Sequence, residues 1–395
     1  MAVHKIEKPM NLKKLKLYSS VFALQGLSNA VIPVLPELAG RDSGSFVTSN
    51  LLYSGYFMGA FLALVPLGIL ADRIGNQKVI KFGMLLTALS GLVISFSNSP
   101  WILGIFRFIE GIGCGAFFPA AFSILAEWED SQKSLGEFNF LLNAGLAAGV
   151  FFSGILASFG IKTAIISFTF LAGFSCILIL SGIGELFSLN RKEKKKDLML
   201  QENANQKRTK QEIYIIPELK NYLQKTKKTL FKTSFGKIWG IAILLYGTTG
   251  IINANYADYS ISFLTKPELG LAISASYLAA MLSSLIAGRI SLDSKKIVRI
   301  GIILAAGGIF LSVKIPLLAF FLIGAGGGTA VVGLITTVSK ISSSGFVMGL
   351  FNTGIYAGLG LGPVLGSFFL EPLGYETVFI GSAFALLTVL FVKLE

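Results

Sequence analysis

The sequence predicts an all-α polytopic membrane protein, with twelve transmembrane helices in two six-helix pseudo-symmetric bundles. Three observations carry this expectation. Of 395 residues, 53% are hydrophobic and 14% charged, with mean hydropathy +0.71, whereas a soluble domain is nearer 25% charged. The apolar residues gather in runs of roughly 20, the length that crosses a bilayer at about 1.5 Å rise per residue. The runs before and after a polar interruption carry matching motifs six helices apart. A β-barrel would show short alternating segments instead.

Taken in order, the first run is 17–39, preceded by a tail with Lys5, Lys8 and Lys13. No small-residue cleavage site follows it, so it is expected to be a retained helix and not a signal peptide. Runs 47–70 and 79–97 are separated only by a short charged gap, which must turn tightly at one bilayer face. Runs 101–127, 138–159 and 162–183 complete the first six. The second six are 238–264, 269–291, 297–313, 316–338, 346–370 and 374–393. The expected organisation is therefore a bundle over 1–184, a basic linker over 185–237 and a second bundle over 238–395. The linker opens on the basic run 191–196 and continues through polar 201–211, a solvated pattern. Residues 213–235 mix apolar residues with lysines. They fit an interfacial helix laying Leu219, Tyr222, Leu223 and Leu230 on the membrane, and equally a connector or a helix packed beneath the bundle.

The charges orient the chain. With the N-terminus inside, 29 of the 34 Lys and Arg residues fall in inside segments, and only Arg41, Lys162, Lys266 and Lys314 fall outside. The remaining one, Arg107, is within a run. This bias predicts a multi-pass protein of the cell membrane with both termini cytoplasmic. The net charge of +13 thus reflects topology and does not predict a nucleic-acid partner, although basic loops are expected to meet anionic lipid. Cys114 and Cys176 lie in separate runs and form neither a disulfide framework nor a metal site. His4 is the single histidine, so no metal and no Cys/His nucleophile is expected. Residues 324–328 are glycine-rich, but no Lys-Ser/Thr follows to make a phosphate loop. ATP-driven transport is not expected.

The two halves repeat. Asn143-Ala144-Gly145-Leu146-Ala147-Ala148-Gly149 matches Asn352-Thr353-Gly354-Ile355-Tyr356-Ala357-Gly358, and Ser158-Phe159 meets Ser367-Phe368 in the same register. Gly111, Gly113 and Gly115 in the fourth run correspond to Gly324, Gly326 and Gly328 in the tenth. Small residues let membrane helices approach closely. Parallel repeats of this kind place a substrate site between the halves near the midplane.

The gap after the second run reads Gly68-Ile69-Leu70-Ala71-Asp72-Arg73-Ile74-Gly75-Asn76-Gln77-Lys78. This G-x-L-A-D-R-x-G-x-x-K stretch resembles the cytoplasmic loop signature of the major facilitator superfamily, which joins that family's second and third helices. The loop after the eighth run, 288–296, looks like a degraded copy, with Asp293 one position late. Arg107-Phe108-Ile109-Glu110-Gly111 resembles the family's R-x-x-x-G motif in the fourth helix. The resemblance implies a solute transporter working by alternating access, not an enzyme. It implies that Gly68, Asp72, Arg73, Gly75 and Lys78 form a conformational latch, with Asp72 near the start of the eleventh helix at about residue 345. A carboxylate there gains roughly 0.3–2 kcal/mol from the helix end.

Arg107 is the single Lys or Arg in the interior of a run, since Lys81, Lys162, Arg289, Arg299 and Lys393 lie within two residues of a run end. A charge at helix centre costs roughly 2.5–3.5 kcal/mol, so it should face the bundle interior. Glu110, three residues on, shares its helix face. The pair either neutralises itself or carries a proton, since burial disfavours a charged carboxylate and a neighbouring guanidinium favours it. The first helix of each half lines the cavity in the family, which marks Gln25, Asn29, Asn255 and Tyr256 as cavity candidates, with the matched Asn143 and Asn352. Glu37 and Asp258 lie later in those runs, toward an outer rim. Exporters of the family often carry G-x-x-x-G-P-x-x-G in the fifth helix. This chain has Gly145, Gly149 and Gly154 there without the proline, and a closer copy over 358–366.

The 33 phenylalanines and few cavity charges point to amphipathic or lipophilic solutes, and with the family resemblance the expectation is proton-coupled efflux of drug-like or amphipathic compounds. The alternative is proton-coupled uptake of a small organic solute or sugar, with Arg107 holding a carboxylate. A membrane receptor or lipid-modifying enzyme is the distant alternative. The expected partners are a small-molecule substrate and membrane lipid. The expected working unit is a monomer without cofactor, driven by a proton gradient.

Overall fold

The computed structural model describes residues 12–40, 46–128, 130–181, 229, 233–341 and 345–392. Most of the linker, including the candidate interfacial residues Leu219, Tyr222, Leu223 and Leu230, lies outside the described residues, as do Lys5, Lys8 and Arg41. The helices in chain order are α1 (Leu12–Ala30), α2 (Phe46–Ile74), α3 (Asn76–Phe96), α4 (Pro100–Ala126), α5 (Ser131–Leu156) and α6 (Thr163–Leu180). The second half has α7 (Thr233–Tyr259), α8 (Lys266–Arg289), α9 (Ser294–Leu311) and α10 (Pro316–Ile341). It ends in the helical stretch Gly345–Leu387, which breaks at Gly374 (φ 75°, ψ 167°) into α11 (345–373) and α12 (375–387).

Ten stretches among the described residues are long and apolar enough to cross a membrane, and the last of them, Val347–Phe391, contains both α11 and α12. The twelfth helix is α9, whose first turns carry Lys295, Lys296 and Arg299. No strand occurs among the described residues. Large apolar side chains such as Phe96, Trp101, Phe170, Phe174 and Phe368 stand exposed, which is the expected outer coat of a bundle in lipid.

Two local details depart from the simple run pattern. The first run is one helix only to Ala30. Pro33 and Pro36 lack the N–H an α-helix needs, and the chain continues as a 3-10 turn (Ile32–Val34) and a single helical turn (Leu35–Leu38). The gap after α2 is far shorter than the charged stretch suggests. Helix continues through Asp72 and Arg73 to Ile74, and Gly75 alone (φ 97°) separates α2 from α3. Only glycine adopts that conformation without cost.

The glycine repeat has a packing cause. A Cβ at Gly145 would lie 2.5 Å from the Phe22 carbonyl, and one at Gly149 would strike the Gly26 carbonyl, so α5 lies directly on α1. In the second half Gly358 faces the Ile243 carbonyl at 2.6 Å and Gly354 faces Trp239, so α11 lies on α7 in the same way. Gly111 and Gly115 seat α4 on α2, as Gly324 and Gly328 seat α10 on α8. The shared glycines therefore mark two of the helix contacts that build each half. Gly149→Leu should lower the thermal unfolding midpoint of the detergent-purified protein, an overpacking cost of about 1–3 kcal/mol. Gly240→Leu, on α7 with open space around it, should leave the midpoint unchanged. Equal midpoints for both variants would remove the packing argument.

Candidate substrate and coupling site

The close seating of α4 on α2 determines what surrounds Arg107. With Gly111 against the Tyr56 carbonyl, the backbone and ring of α2 come within reach of the guanidinium. Arg107 Nη1 donates to Glu110 Oε2 at 2.7 Å, and Nε donates to the Leu52 carbonyl at 3.3 Å. The guanidinium carbon lies 4.8 Å from the centre of the Tyr56 ring, a distance at which a cation is attracted to the ring face. Arg107 is 2% exposed and Glu110 1%. Glu110 Oε1 is buried and accepts no hydrogen bond among the described residues.

The set reaches other helices. Tyr56 donates to Gln25 Oε1 on α1 at 3.3 Å. Cys114, one turn beyond Glu110, has its Sγ 3.7 Å from the Tyr356 hydroxyl on α11. Phe57 bridges Tyr53, Tyr56 and Tyr356, with ring centres 4.9, 5.1 and 6.2 Å away. An ion pair and an aromatic cluster thus meet where the second half touches the first. Burial of an ion pair is costly unless its members are well paired, and this pair leaves one carboxylate oxygen unsatisfied.

Contacts between the halves run from this level to the face that carries residues 97–99. Asn50 Nδ2 donates to Asn255 Oδ1 at 2.7 Å, and Asn255 Nδ2 returns a bond to Asn50 Oδ1 at 2.9 Å. Lys266 Nζ donates to Glu37 Oε2 at 3.0 Å and to the Pro33 carbonyl at 2.6 Å. Gly154 and Gly270 bring α5 and α8 into backbone contact, and Gly360 meets Met58. At the opposite, linker face, Asp72, Arg73 and Lys78 are exposed.

The sequence-predicted residues therefore separate into groups. Arg107, Glu110 and Gln25 come together. Asn255 joins the halves through Asn50, and Glu37, read as an outer rim, does so through Lys266. Asn29 Nδ2 donates to the Leu146 carbonyl in the first half, and its side chain also hydrogen-bonds Tyr277 of the second. Asn143 donates to the Asn139 carbonyl of its own helix, while Asn352 is half-buried one turn from Tyr356. Tyr256 sits in the core of the second half, not at the junction. Its hydroxyl donates to the Ser312 carbonyl at 2.6 Å, and its ring packs on Phe320 and Phe379. Gly68 faces Pro119 with ordinary van der Waals room. Sequence reasoning missed Asn50, Tyr53, Tyr56, Cys114 and Tyr356. The available signal was spacing: Asn50, Tyr53 and Phe57 form one helical stripe, and Cys114 lies four residues after Glu110.

A family model described as Major Facilitator Superfamily matches residues 17–263 and 238–394. Multidrug resistance protein MdtG of Citrobacter koseri is 32% identical over 115 residues, covering 28% of each chain. The same-named protein of Escherichia fergusonii is 32% identical over 122 residues, covering 30% of each. These alignments thus span less than a third of the relatives' length. Among solved structures, the nucleoside transporter NupG superposes with a TM-score of 0.68 at 16% identity, over 96% of this chain and 98% of that one.

Proposed function

The chain belongs to the major facilitator superfamily, and from that premise we propose that it exports drug-like or amphipathic compounds in exchange for protons. It is a multi-pass membrane transporter, not an enzyme. Glu110 carries the proton-coupled reading. It is buried, paired on one oxygen and unsatisfied on the other. Burial disfavours the charged form of a carboxylate so placed, while the neighbouring guanidinium favours it. Displacement of Arg107 tips it toward the neutral form, and return of Arg107 releases the proton.

The efflux direction is supported by the partial similarity to the multidrug resistance proteins and by the apolar, aromatic surroundings of the pair. An uptake carrier that grips a carboxylate through Arg107 fits less well. That guanidinium already serves Glu110, the Leu52 carbonyl and the Tyr56 ring. In this reading the chain stands closed at the face of residues 97–99 and works as a monomer, since both halves contribute to the junction. The linker face and both termini are cytoplasmic, by the charge bias. Only a difference in affinity between two arrangements lets substrate or proton shift the balance.

The test is transport in proteoliposomes with and without a pH gradient, using lipophilic dyes, amphiphilic anions and nucleosides. Gradient-driven movement of dyes or amphiphiles supports the proposal. Movement of nucleosides alone would favour uptake, and transport indifferent to the gradient would end proton coupling. The latch residue gives a second measurement. If Asp72 closes on the start of α11 during the cycle, Asp72→Asn should slow transport by about twofold to about thirtyfold, the range of one carboxylate at a helix end. An unchanged rate removes Asp72 from the cycle.

A further inference from the structure

We propose that the linker face of the second half holds an anionic phospholipid, with an acyl chain in a groove between α8, α9 and α10 and the phosphate among Arg289, Lys295, Lys296 and Arg299. A cavity of about 200 Å³ lies between these helices. Its walls include Ser283 and Ile286 of α8, Ile290 and Leu292 of the following loop, and Ile297 and Ile300 of α9. Ile286, Ile290, Leu292 and Ile300 are exposed, so the groove opens on the outer surface of the bundle and not on the junction with the first half.

The rim is what distinguishes this groove from any other crevice in lipid. Four cations stand within eleven residues at the end of α8 and the start of α9, and Arg289, Lys296 and Arg299 are exposed. None of the four is paired with a carboxylate among the described residues. The one acid between them, Asp293, lies 4.0 Å from Lys340 of α10. Every neighbouring lipid offers similar tails to the groove, so the tails give no selectivity. Selectivity comes from the headgroup. A cation at the membrane surface favours an anionic lipid by about fivefold, and several act here on one position.

The full chain with Ile300→Trp, reconstituted in mixed bilayers, reports groove occupancy through quenching by brominated acyl chains. Quenching is measured against the chain without the added tryptophan. Dibrominated phosphatidylglycerol should quench more than dibrominated phosphatidylcholine at equal mole fraction. Arg289→Gln with Lys296→Gln, both at exposed positions, should reduce that preference by roughly twenty-five-fold, about fivefold for each cation. Equal quenching by the two lipids, or a preference unchanged by the double substitution, overturns the proposal. Quenching by neither lipid, together with a disulfide between Ile300→Cys and Leu219→Cys, would give the groove to the chain's own linker and overturn it as well.

Discussion

Glu110→Gln is expected to abolish pH-gradient-driven accumulation in proteoliposomes while leaving a folded protein that still exchanges substrate down its own gradient. The amide has the shape of the protonated acid and retains an oxygen for Arg107 Nη1, so the seating of α4 on α2 is preserved. It cannot release a proton within the cycle. Carboxamide in place of carboxyl thus removes the carrier and not the path. The effect should be complete because Glu110 is the one buried acid among the described residues, while Glu37 is engaged with Lys266 at the far face and Asp72 is exposed at the linker face. Full accumulation by the variant would show that the proton travels elsewhere. Loss of both accumulation and exchange would mean that the site, and not only its coupling, depends on the carboxylate.

The fold was largely legible because each helix is an apolar run and each break has a chemical mark. Pro33 ends α1, Gly75 turns the chain after α2, and Gly374 separates α11 from α12. The repeat was legible as a pattern, but its cause was not. That Gly145 and Gly149 press on α1 while Gly354 and Gly358 press on α7 depends on helix neighbours, which no single run encodes. The site divides in the same way. Arg107 and Glu110 stand out because charge in an apolar run is costly, and their spacing already places them on one face. Tyr56 and the Leu52 carbonyl enter the site only through the approach of α2 to α4. A polar residue in a membrane helix is ambiguous until its partner is known. Tyr256 spends its hydroxyl on the Ser312 carbonyl and Asn143 spends its amide on its own helix, whereas Asn255 crosses to Asn50.

Arg107→Met is expected to destabilise the protein by about 3–5 kcal/mol, the cost of removing one member of a buried ion pair. The loss has identifiable parts: the bond to Glu110, the bond to the Leu52 carbonyl and the contact with the Tyr56 ring. Most of it should come from the carboxylate left alone in the bundle. Combining Arg107→Met with Glu110→Gln removes that charge, so the double variant should be more stable than Arg107→Met alone. The coupling, read from unfolding midpoints of both singles and the double, should reach roughly 0.5–3 kcal/mol. Additive losses would mean that Arg107 acts through Leu52 and Tyr56 and not through Glu110. The same double variant separates two meanings of the pair. If Arg107 and Glu110 serve only to neutralise each other, a neutral, refolded pair should transport against a substrate gradient as the original does. If Glu110 carries the proton, the double variant should be folded, able to bind and exchange substrate, and unable to draw work from a pH gradient.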